Sequence, residues 1–169
     1  NKVLLYSSRP ERGLEHLLAP GGLMERLAIS LPAARLLVCA YDNTVPEMAG
    51  FYAALKARAA ELKNVEWLQP LSKLALASTM RAAWLQLYPG PFEETSCITA
   101  MEAQAAGLPF IGASMGALPE TLAGGGACLL GPPEGFPVRP EEMEQAVLAY
   151  NLSPDLWDAD HARALAKAS

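Results

Sequence analysis

Short apolar runs recur along the chain, and none of them alternates apolar with polar residues. Strands that lack this alternation are typical of a parallel sheet that is covered on both faces. Helix-length segments separate the runs. We therefore predict six short β-strands, at residues 3–7, 35–41, 65–69, 82–89, 109–114 and 127–131.

The segments between these runs have helical character. Pro20-Gly21-Gly22 interrupts the first one, and strong helix formers fill the segment after Pro46. Further helices are predicted at residues 72–80, 97–106, 140–150 and 154–167, with a helical turn at 118–122. Alternating strands and helices predict an α/β fold, namely a doubly wound, Rossmann-like parallel sheet of about six strands with helices on both faces.

Ligands of doubly wound sheets bind beyond the carboxyl ends of the strands. We therefore expect ligand-binding and catalytic residues in three strand-to-helix loops, at residues 8–13, 89–96 and 113–120.

Bulk composition predicts one globular domain over residues 1–169. The net charge of -5 and pI near 5.0 leave no basic surface for neutralising phosphates, which argues against nucleic acid as a partner. Cys39, Cys97 and Cys128 lie in apolar surroundings and predict buried thiols in a reducing, cytoplasmic compartment. No apolar run approaches the roughly 18 residues of a membrane span. The chain begins on a strand without an initiating Met, so we expect a domain from a longer protein.

The loop and helix start at residues 89–109 carry the most informative side chains. Glu94 and Glu102 are separated by seven residues, so one lies before the helix and the other inside it. Exposed backbone N–H groups at a helix start attract anions. The candidate anion-binding amides are those of Cys97, Ile98 and Thr99.

Local pattern leaves a second interpretation of these residues open. Thr99 and Glu102 fit a capping box, in which Glu102 would return to the helix start and need no ligand. Glu93 is interpreted as a solvated neighbour of Glu94, and Ser96 as an N-cap rather than a nucleophile.

The stretch FEETSCITAMEAQAAGLPFIGASMGALPE (92–120) resembles the signature of glycosyltransferase family 4, also called group 1. That pattern has Glu, seven residues, Glu, then Ala-Met-Ala-Ala-Gly-x-Pro-Val and a Gly-Gly-x-x-Glu loop. The resemblance implies that Glu94 contacts donor-sugar hydroxyls, Glu102 holds the ribose and the three amides bind the diphosphate. The family often has Gly-Phe-Gly where this chain has Thr95-Ser96-Cys97, so Cys97 is expected to narrow the approach.

Arg9 and Arg12 place two cations after the first strand. Fixed positive charge stabilises the negative charge that develops on a diphosphate leaving group. A solvated turn is the alternative. In the family, an Arg and a Lys in this loop bind the diphosphate, and Arg9 and Arg12 occupy those positions. Gly116 matches the family's Gly-rich third loop and is expected to allow a close backbone approach to the ligand.

By this resemblance the chain is the C-terminal half of a retaining, GT-B-type glycosyltransferase. Its expected partners are a nucleoside-diphosphate sugar donor and an N-terminal acceptor-binding domain that the chain lacks. Peripheral membrane contact is expected only through that missing half, and no cofactor or metal is expected. A GT-B-like sugar-nucleotide epimerase and a non-catalytic sugar-nucleotide-binding module are the alternatives. The resemblance assigns Glu94, Arg9 and Arg12 to catalysis and Glu102, Cys97, Ile98, Thr99 and Gly116 to substrate binding.

Two other signals are given little weight. Asp158-Ala-Asp160 matches the metal-binding Asp-x-Asp of another glycosyltransferase class, but it lies beside a terminal helix and is interpreted as capping or solvated surface. Asp42 occupies roughly the ribose-binding place of a dinucleotide fold. That interpretation fails because the first loop lacks Gly-x-Gly-x-x-Gly.

Overall fold

The computed structural model describes residues 2–41, 45–90, 92–131 and 138–169, so Asp42 lies outside the described residues. Within those ranges, strands and helices alternate as the sequence predicts. The strands are β1 Lys2–Tyr6, β2 Ala34–Val38, β3 Val65–Trp67, β4 Leu85–Tyr88, β5 Phe110–Ala113 and β6 Ala127–Leu130. The α-helices are α1 Leu14–Leu18, α2 Leu23–Ser30, α3 Ala49–Glu61, α4 Lys73–Ala82, α5 Ile98–Ala105, α6 Leu118–Thr121, α7 Pro140–Leu152 and α8 Pro154–Ala168.

The six strands form one parallel sheet in the order β3-β2-β1-β4-β5-β6. Strand order reverses between β1 and β4, whose register pairs Leu4 with Leu85 and Leu5 with Gln86. The loops that follow these two strands leave the same edge of the sheet at the reversal. This is the place where doubly wound sheets bind ligands.

Two hydrophobic cores cover the two faces of the sheet, because successive residues of a strand point to opposite sides. Leu4 belongs to the core that includes buried residues of α1, α2, α3 and α7, and Leu5 to the core of α4, α5 and α6. Both leucines are fully buried. Burial on both faces explains why the strands read as continuous apolar runs.

The predicted doubly wound fold with six strands is confirmed, and the remaining differences lie at element ends. Ala82 belongs to α4 rather than to the fourth strand. The Pro20-Gly21-Gly22 interruption separates α1 from α2. Ser72 caps α4 by accepting a hydrogen bond from the Ala75 N–H at 3.2 Å.

Gly13 and Gly90 bring the loops after β1 and β4 into backbone contact. Gly13 has φ of 101°, and a Cβ atom there would overlap the backbone of Gly90. A Cβ atom at Gly90 would overlap the Arg12 carbonyl. Both positions therefore require glycine, because any side chain would overlap the backbone of the other loop. The contact fixes the loop of Arg9 and Arg12 against the loop of Glu94.

Replacing Gly13 by Ala should lower the free energy of unfolding more than replacing Gly21 by Ala. Gly21 also has a left-handed backbone, with φ of 70°, but no atom lies within 4 Å of its Cβ position. Both variants carry the left-handed cost of about 1 kcal/mol, and Gly13→Ala adds about 1–3 kcal/mol of steric overlap. Denaturant unfolding measures the difference. Equal losses in the two variants would contradict the close contact.

Candidate functional site

A cavity of about 260 Å³ opens where the loops after β1 and β4 meet the start of α5. It unites six of the eight residues that the sequence predicts for the site. Glu102 and Gly116 do not line it. The six are Arg9, Arg12, Glu94, Cys97, Ile98 and Thr99.

Arg12 and Glu94 form an ion pair at this cavity. Nη1 of Arg12 lies 3.3 Å from Oε1 of Glu94, and their side chains are only 20% and 17% exposed. The Arg12 guanidinium also covers the face of the Phe92 ring. Arg12 is therefore held on two sides, so the solvated-turn interpretation is wrong for it.

Tyr88 is a second partner of Glu94. Its hydroxyl donates to the same Oε1 atom that faces Arg12. Burial, followed by this hydrogen bond, raises the pKa of Tyr88 well above its ordinary value, so the phenol keeps its proton. Sequence reasoning missed Tyr88. The available signal was a hydroxyl-bearing residue at the last position of an apolar strand.

Arg9 lies at the outer part of the same loop. Its guanidinium is 5.8 Å from the centre of the Tyr41 ring, and the hydrogen bond to Tyr41 raises its pKa. The Arg9 carbonyl accepts from the hydroxyl of buried Tyr6 at 2.6 Å, which ties this loop to β1. Tyr41 also lines the cavity and was not predicted from the sequence.

The start of α5 is open. The helix begins at Ile98, and its N-cap Cys97 has a left-handed backbone with φ of 52° and no capping side-chain hydrogen bond. The interpretation of Ser96 as the N-cap is therefore wrong. Within the described part of the chain, no backbone carbonyl accepts from the N–H groups of Cys97, Ile98 or Thr99. These are the amides that the sequence predicts for anion binding.

The side chain of Cys97 packs mostly in the hydrophobic core. The residue is 5% exposed and packs in the cluster that includes Leu5 and Leu118. The expected narrowing of the ligand approach is therefore small. Burial raises the pKa of the Cys97 thiol to about 11, so the thiol is protonated near neutral pH and is a poor nucleophile.

A buried polar chain attaches the start of α5 to the sheet. The hydroxyl of Thr99 donates to the Ser7 carbonyl at 3.0 Å, and the Ser7 hydroxyl donates to Oε1 of buried Gln86 at 3.2 Å. Thr99 is the second residue of α5 and does not cap it. The capping-box interpretation of Thr99 and Glu102 is therefore wrong.

Glu102 does not share the cavity of Glu94. It lines a cavity of about 150 Å³ between α4 and α5, together with Lys73 and Arg81. Among the described residues, no hydrogen bond or ion pair engages its carboxylate. The two acids of the motif thus line two different cavities, which have no lining residue in common.

Gly116 supports the site from within the protein. It has φ of 55°, and a Cβ atom there would crowd the backbone N and O atoms of Glu94, each 2.7 Å away. The N–H of Ala117 donates to the Glu94 carbonyl at 2.8 Å. The close approach that this glycine allows is therefore to the Glu94 loop. Its contact with a ligand stays a prediction.

Asp160 is not solvated surface. It is 6% exposed, lies inside α8, and accepts hydrogen bonds from Tyr150 at 2.5 Å and Arg163 at 2.8 Å. It ties α8 to α7, so its interpretation as a capping or solvated residue is wrong. In the described ranges, no three His, Cys, Asp or Glu side chains are grouped to hold a metal ion.

A family model for group 1 glycosyl transferases matches residues 4–150. The chain belongs to this family. No sequence match was found among curated proteins.

Solved structures confirm the fold assigned to this group 1 chain. HepE from Anabaena, crystallised with UDP and glucose, has a TM-score of 0.80 at 20% identity over 100% of this chain and 44% of HepE. The C-terminal domain of the group 1 protein LpcC from Francisella tularensis has a TM-score of 0.76 at 14% identity, over 98% of this chain and 83% of that domain. A Listeria monocytogenes protein assigned as a UDP-N-acetylglucosamine 2-epimerase has a TM-score of 0.67 at 15% identity, over 96% of this chain and 40% of its own.

The chain therefore spans less than half the length of HepE. LpcC supplies a match to a domain described as C-terminal. None of the described helices has the length and apolar character needed to cross a membrane.

Cys97→Ala should make the fold less sensitive to alkaline pH. The unfolded thiol loses its proton near its ordinary pKa of 9.0, whereas the folded thiol keeps it until about 11. The contribution of the buried thiol to the free energy of unfolding is therefore complete below pH 9.0. It is lost as the pH rises from 9.0 to about 11. The slope per thiol is at most about 1.4 kcal/mol per pH unit.

Urea unfolding at about pH 8 and about pH 10 measures this effect as the loss of stability between the two conditions. Cys39→Ala is the matched variant, because burial raises the pKa of that thiol to about 11 as well. Between the two pH values, each variant should lose less free energy of unfolding than the unsubstituted chain. An unchanged alkaline loss in Cys97→Ala would show that this thiol titrates normally in the fold.

Proposed function

We propose that residues 1–169 are the donor-binding, C-terminal half of a retaining GT-B glycosyltransferase. It binds a nucleoside-diphosphate sugar, and the glycosyl group is transferred to an acceptor held by an N-terminal domain. One observation carries this proposal. Two arginines and an uncapped helix start converge on one cavity at the strand-order reversal. The crystal structures of HepE with UDP and with UDP-glucose support a sugar nucleotide as the ligand.

The leaving group explains the positive charge at the cavity. As the bond between the sugar and the diphosphate breaks, electrons move onto the phosphate oxygen. Arg9, Arg12 and the amides of Cys97, Ile98 and Thr99 stabilise the resulting charge. Donors that are already in place need no reorganisation when the charge develops. Catalysis in this half is therefore electrostatic.

The two acids take separate parts of the donor. Oε1 of Glu94 already faces Tyr88 and Arg12, so its second oxygen is assigned to a hydroxyl of the sugar. Glu102 is assigned to the ribose, because it lies about one turn inside the helix whose start faces the cavity, and its carboxylate has no partner among the described residues. The diphosphate, which joins the sugar to the ribose, then lies at the open amides.

An epimerase acting on a sugar nucleotide is the second candidate, supported by the structural likeness to the Listeria protein. A non-catalytic binding module is the third. All three share the donor cavity, and they differ in the chemistry that the other half adds. Incubation of the longer protein with a UDP-sugar and a panel of acceptors distinguishes them. Epimerisation yields a new sugar nucleotide, transfer to an acceptor releases UDP, and a binding module leaves the UDP-sugar unchanged.

Activity, membrane contact and compartment are assigned for the longer enzyme that we propose. The isolated half is inactive without its N-terminal partner, and any peripheral membrane contact belongs to that partner. Cys39, Cys97 and Cys128 are free thiols, which supports a reducing, cytoplasmic compartment.

Titration calorimetry of the chain with UDP, GDP and ADP tests donor binding. We expect one of them to bind, and Glu102→Ala to weaken it about tenfold, because hydrogen bonds to a charged group are worth about 1.5–3 kcal/mol. Glu93→Ala makes the same charge change at an exposed neighbouring position and is the control. The absence of binding to every nucleoside diphosphate would contradict the proposed function. Unchanged binding in Glu102→Ala would contradict only the ribose assignment.

Glu94→Ala should weaken UDP-glucose more than UDP if UDP is the diphosphate that binds. The variant loses both the sugar contact and the support of Arg12, whereas UDP lacks the sugar. The ratio of the two dissociation constants, measured beside Glu93→Ala, isolates the sugar contact. Equal loss for both ligands would reject the assignment of Glu94 to the sugar.

A further inference from the structure

Tyr88 joins the carboxylate of the cavity to the hydrophobic core. It is the last residue of β4, it is fully buried, and its ring stacks on Phe110 with the ring centres 6.1 Å apart. Its hydroxyl donates to Oε1 of Glu94. Because core packing fixes the ring, the hydroxyl holds a fixed position at the carboxyl end of the sheet.

Glu94 is fixed through its main chain as well. Its carbonyl accepts from the Ala117 N–H at 2.8 Å, and its N–H donates to the Phe92 carbonyl at 2.9 Å. Tyr88 then fixes the carboxylate end of the same residue. Glu94 is therefore held at both ends, independently of Arg12.

Arg12 has more hydrogen-bond donors than its pair with Glu94 uses. A guanidinium has five N–H donors, and one of them reaches Glu94 at 3.3 Å. An anion in the cavity would compete with Glu94 for this cation. If Arg12 turned to the anion, Glu94 would lose a partner at a position that is only 17% exposed. An unpaired carboxylate there is costly unless another donor remains.

We propose that Tyr88 is a positioning residue, which retains Glu94 so that Arg12 can turn to the diphosphate of the donor. This role rests on the proposed donor-binding function. Tyr88 does not touch the donor. The Tyr88 hydroxyl stays hydrogen-bonded to Oε1 of Glu94 when Arg12 turns to the second phosphate of the donor. Binding of that phosphate therefore does not leave Glu94 unpaired.

The same three chemical groups meet once more in the described chain, away from the cavity. Tyr150 donates to Asp160 at 2.5 Å, and Arg163 lies 2.8 Å from the other oxygen of that carboxylate. This second set joins α7 to α8. It provides a control in which a buried tyrosine loses the same hydrogen bond without altering the cavity.

The experiment compares Tyr88→Phe with Tyr150→Phe in the 169-residue chain. Calorimetry with UDP and UMP, or with whichever nucleoside diphosphate binds and its monophosphate, separates the second phosphate from the rest of the nucleotide. We expect Tyr88→Phe to weaken UDP about tenfold and to leave UMP nearly unchanged, because one hydrogen bond to a charged group is lost. Tyr150→Phe should bind both nucleotides like the unsubstituted chain.

A double-substitution cycle shows whether Tyr88 acts through Arg12. In an Arg12→Gln background, Tyr88→Phe should cause little further loss of UDP affinity, because the residue that it serves is gone. Multiplicative losses from the two substitutions would overturn the proposal.

Other outcomes also decide against it. An unchanged preference for UDP over UMP in Tyr88→Phe would overturn the positioning role while leaving donor binding intact. Failure of Tyr88→Phe to fold, in thermal unfolding beside Tyr150→Phe, would overturn it too, because the hydroxyl would then serve the fold. If the unsubstituted chain bound no nucleoside diphosphate, the proposed function itself would fail, and the positioning role with it.

Discussion

The backbone contact between Gly13 and Gly90 is the constraint on which the site depends. Parallel strands bring the loops after β1 and β4 to one edge of the sheet, but this alone leaves the two loops free to separate. The missing side chains at both positions let the backbones touch. As a result, the cation of one loop and the acid of the other share a hydrogen bond at 3.3 Å. The loop of Glu94 is fixed in turn by Gly116 from the third loop.

One of the two arginines at the cavity is paired with an acid, and the other is not paired with Glu94. Arg12 is paired with Glu94, whereas Arg9 contacts an aromatic ring. The amides at the start of α5 add partial positive charge. Positive groups therefore stand beside the ion pair at the proposed diphosphate site, although the whole chain carries a net charge of -5. Overall charge excluded a basic nucleic-acid surface but did not reveal this local arrangement.

The fold was predictable because its strands are buried on both faces, which gives continuous apolar runs that turn residues separate. The ends of elements were less predictable, since Ala82 and Leu85 are both apolar and only hydrogen bonding separates α4 from β4. Arg9, Arg12, Glu94 and the amides of α5 were predicted to lie together because motif and topology agreed. Tyr88 was not found, because a tyrosine in an apolar strand looks like core. The buried role of Asp160 was missed because two acids in a helix resemble a solvated face.

The left-handed backbone at Cys97 leaves the start of α5 without a capping side chain. Most helices begin with a Ser, Thr, Asp or Asn side chain that accepts from the first free amides. A side chain that accepted from the first amides of α5 would compete with the anion that is proposed to bind there. A thiol is a weak acceptor, and here it is directed mostly into the core. The start of α5 therefore keeps its free amides and forgoes the capping hydrogen bond that would stabilise the helix.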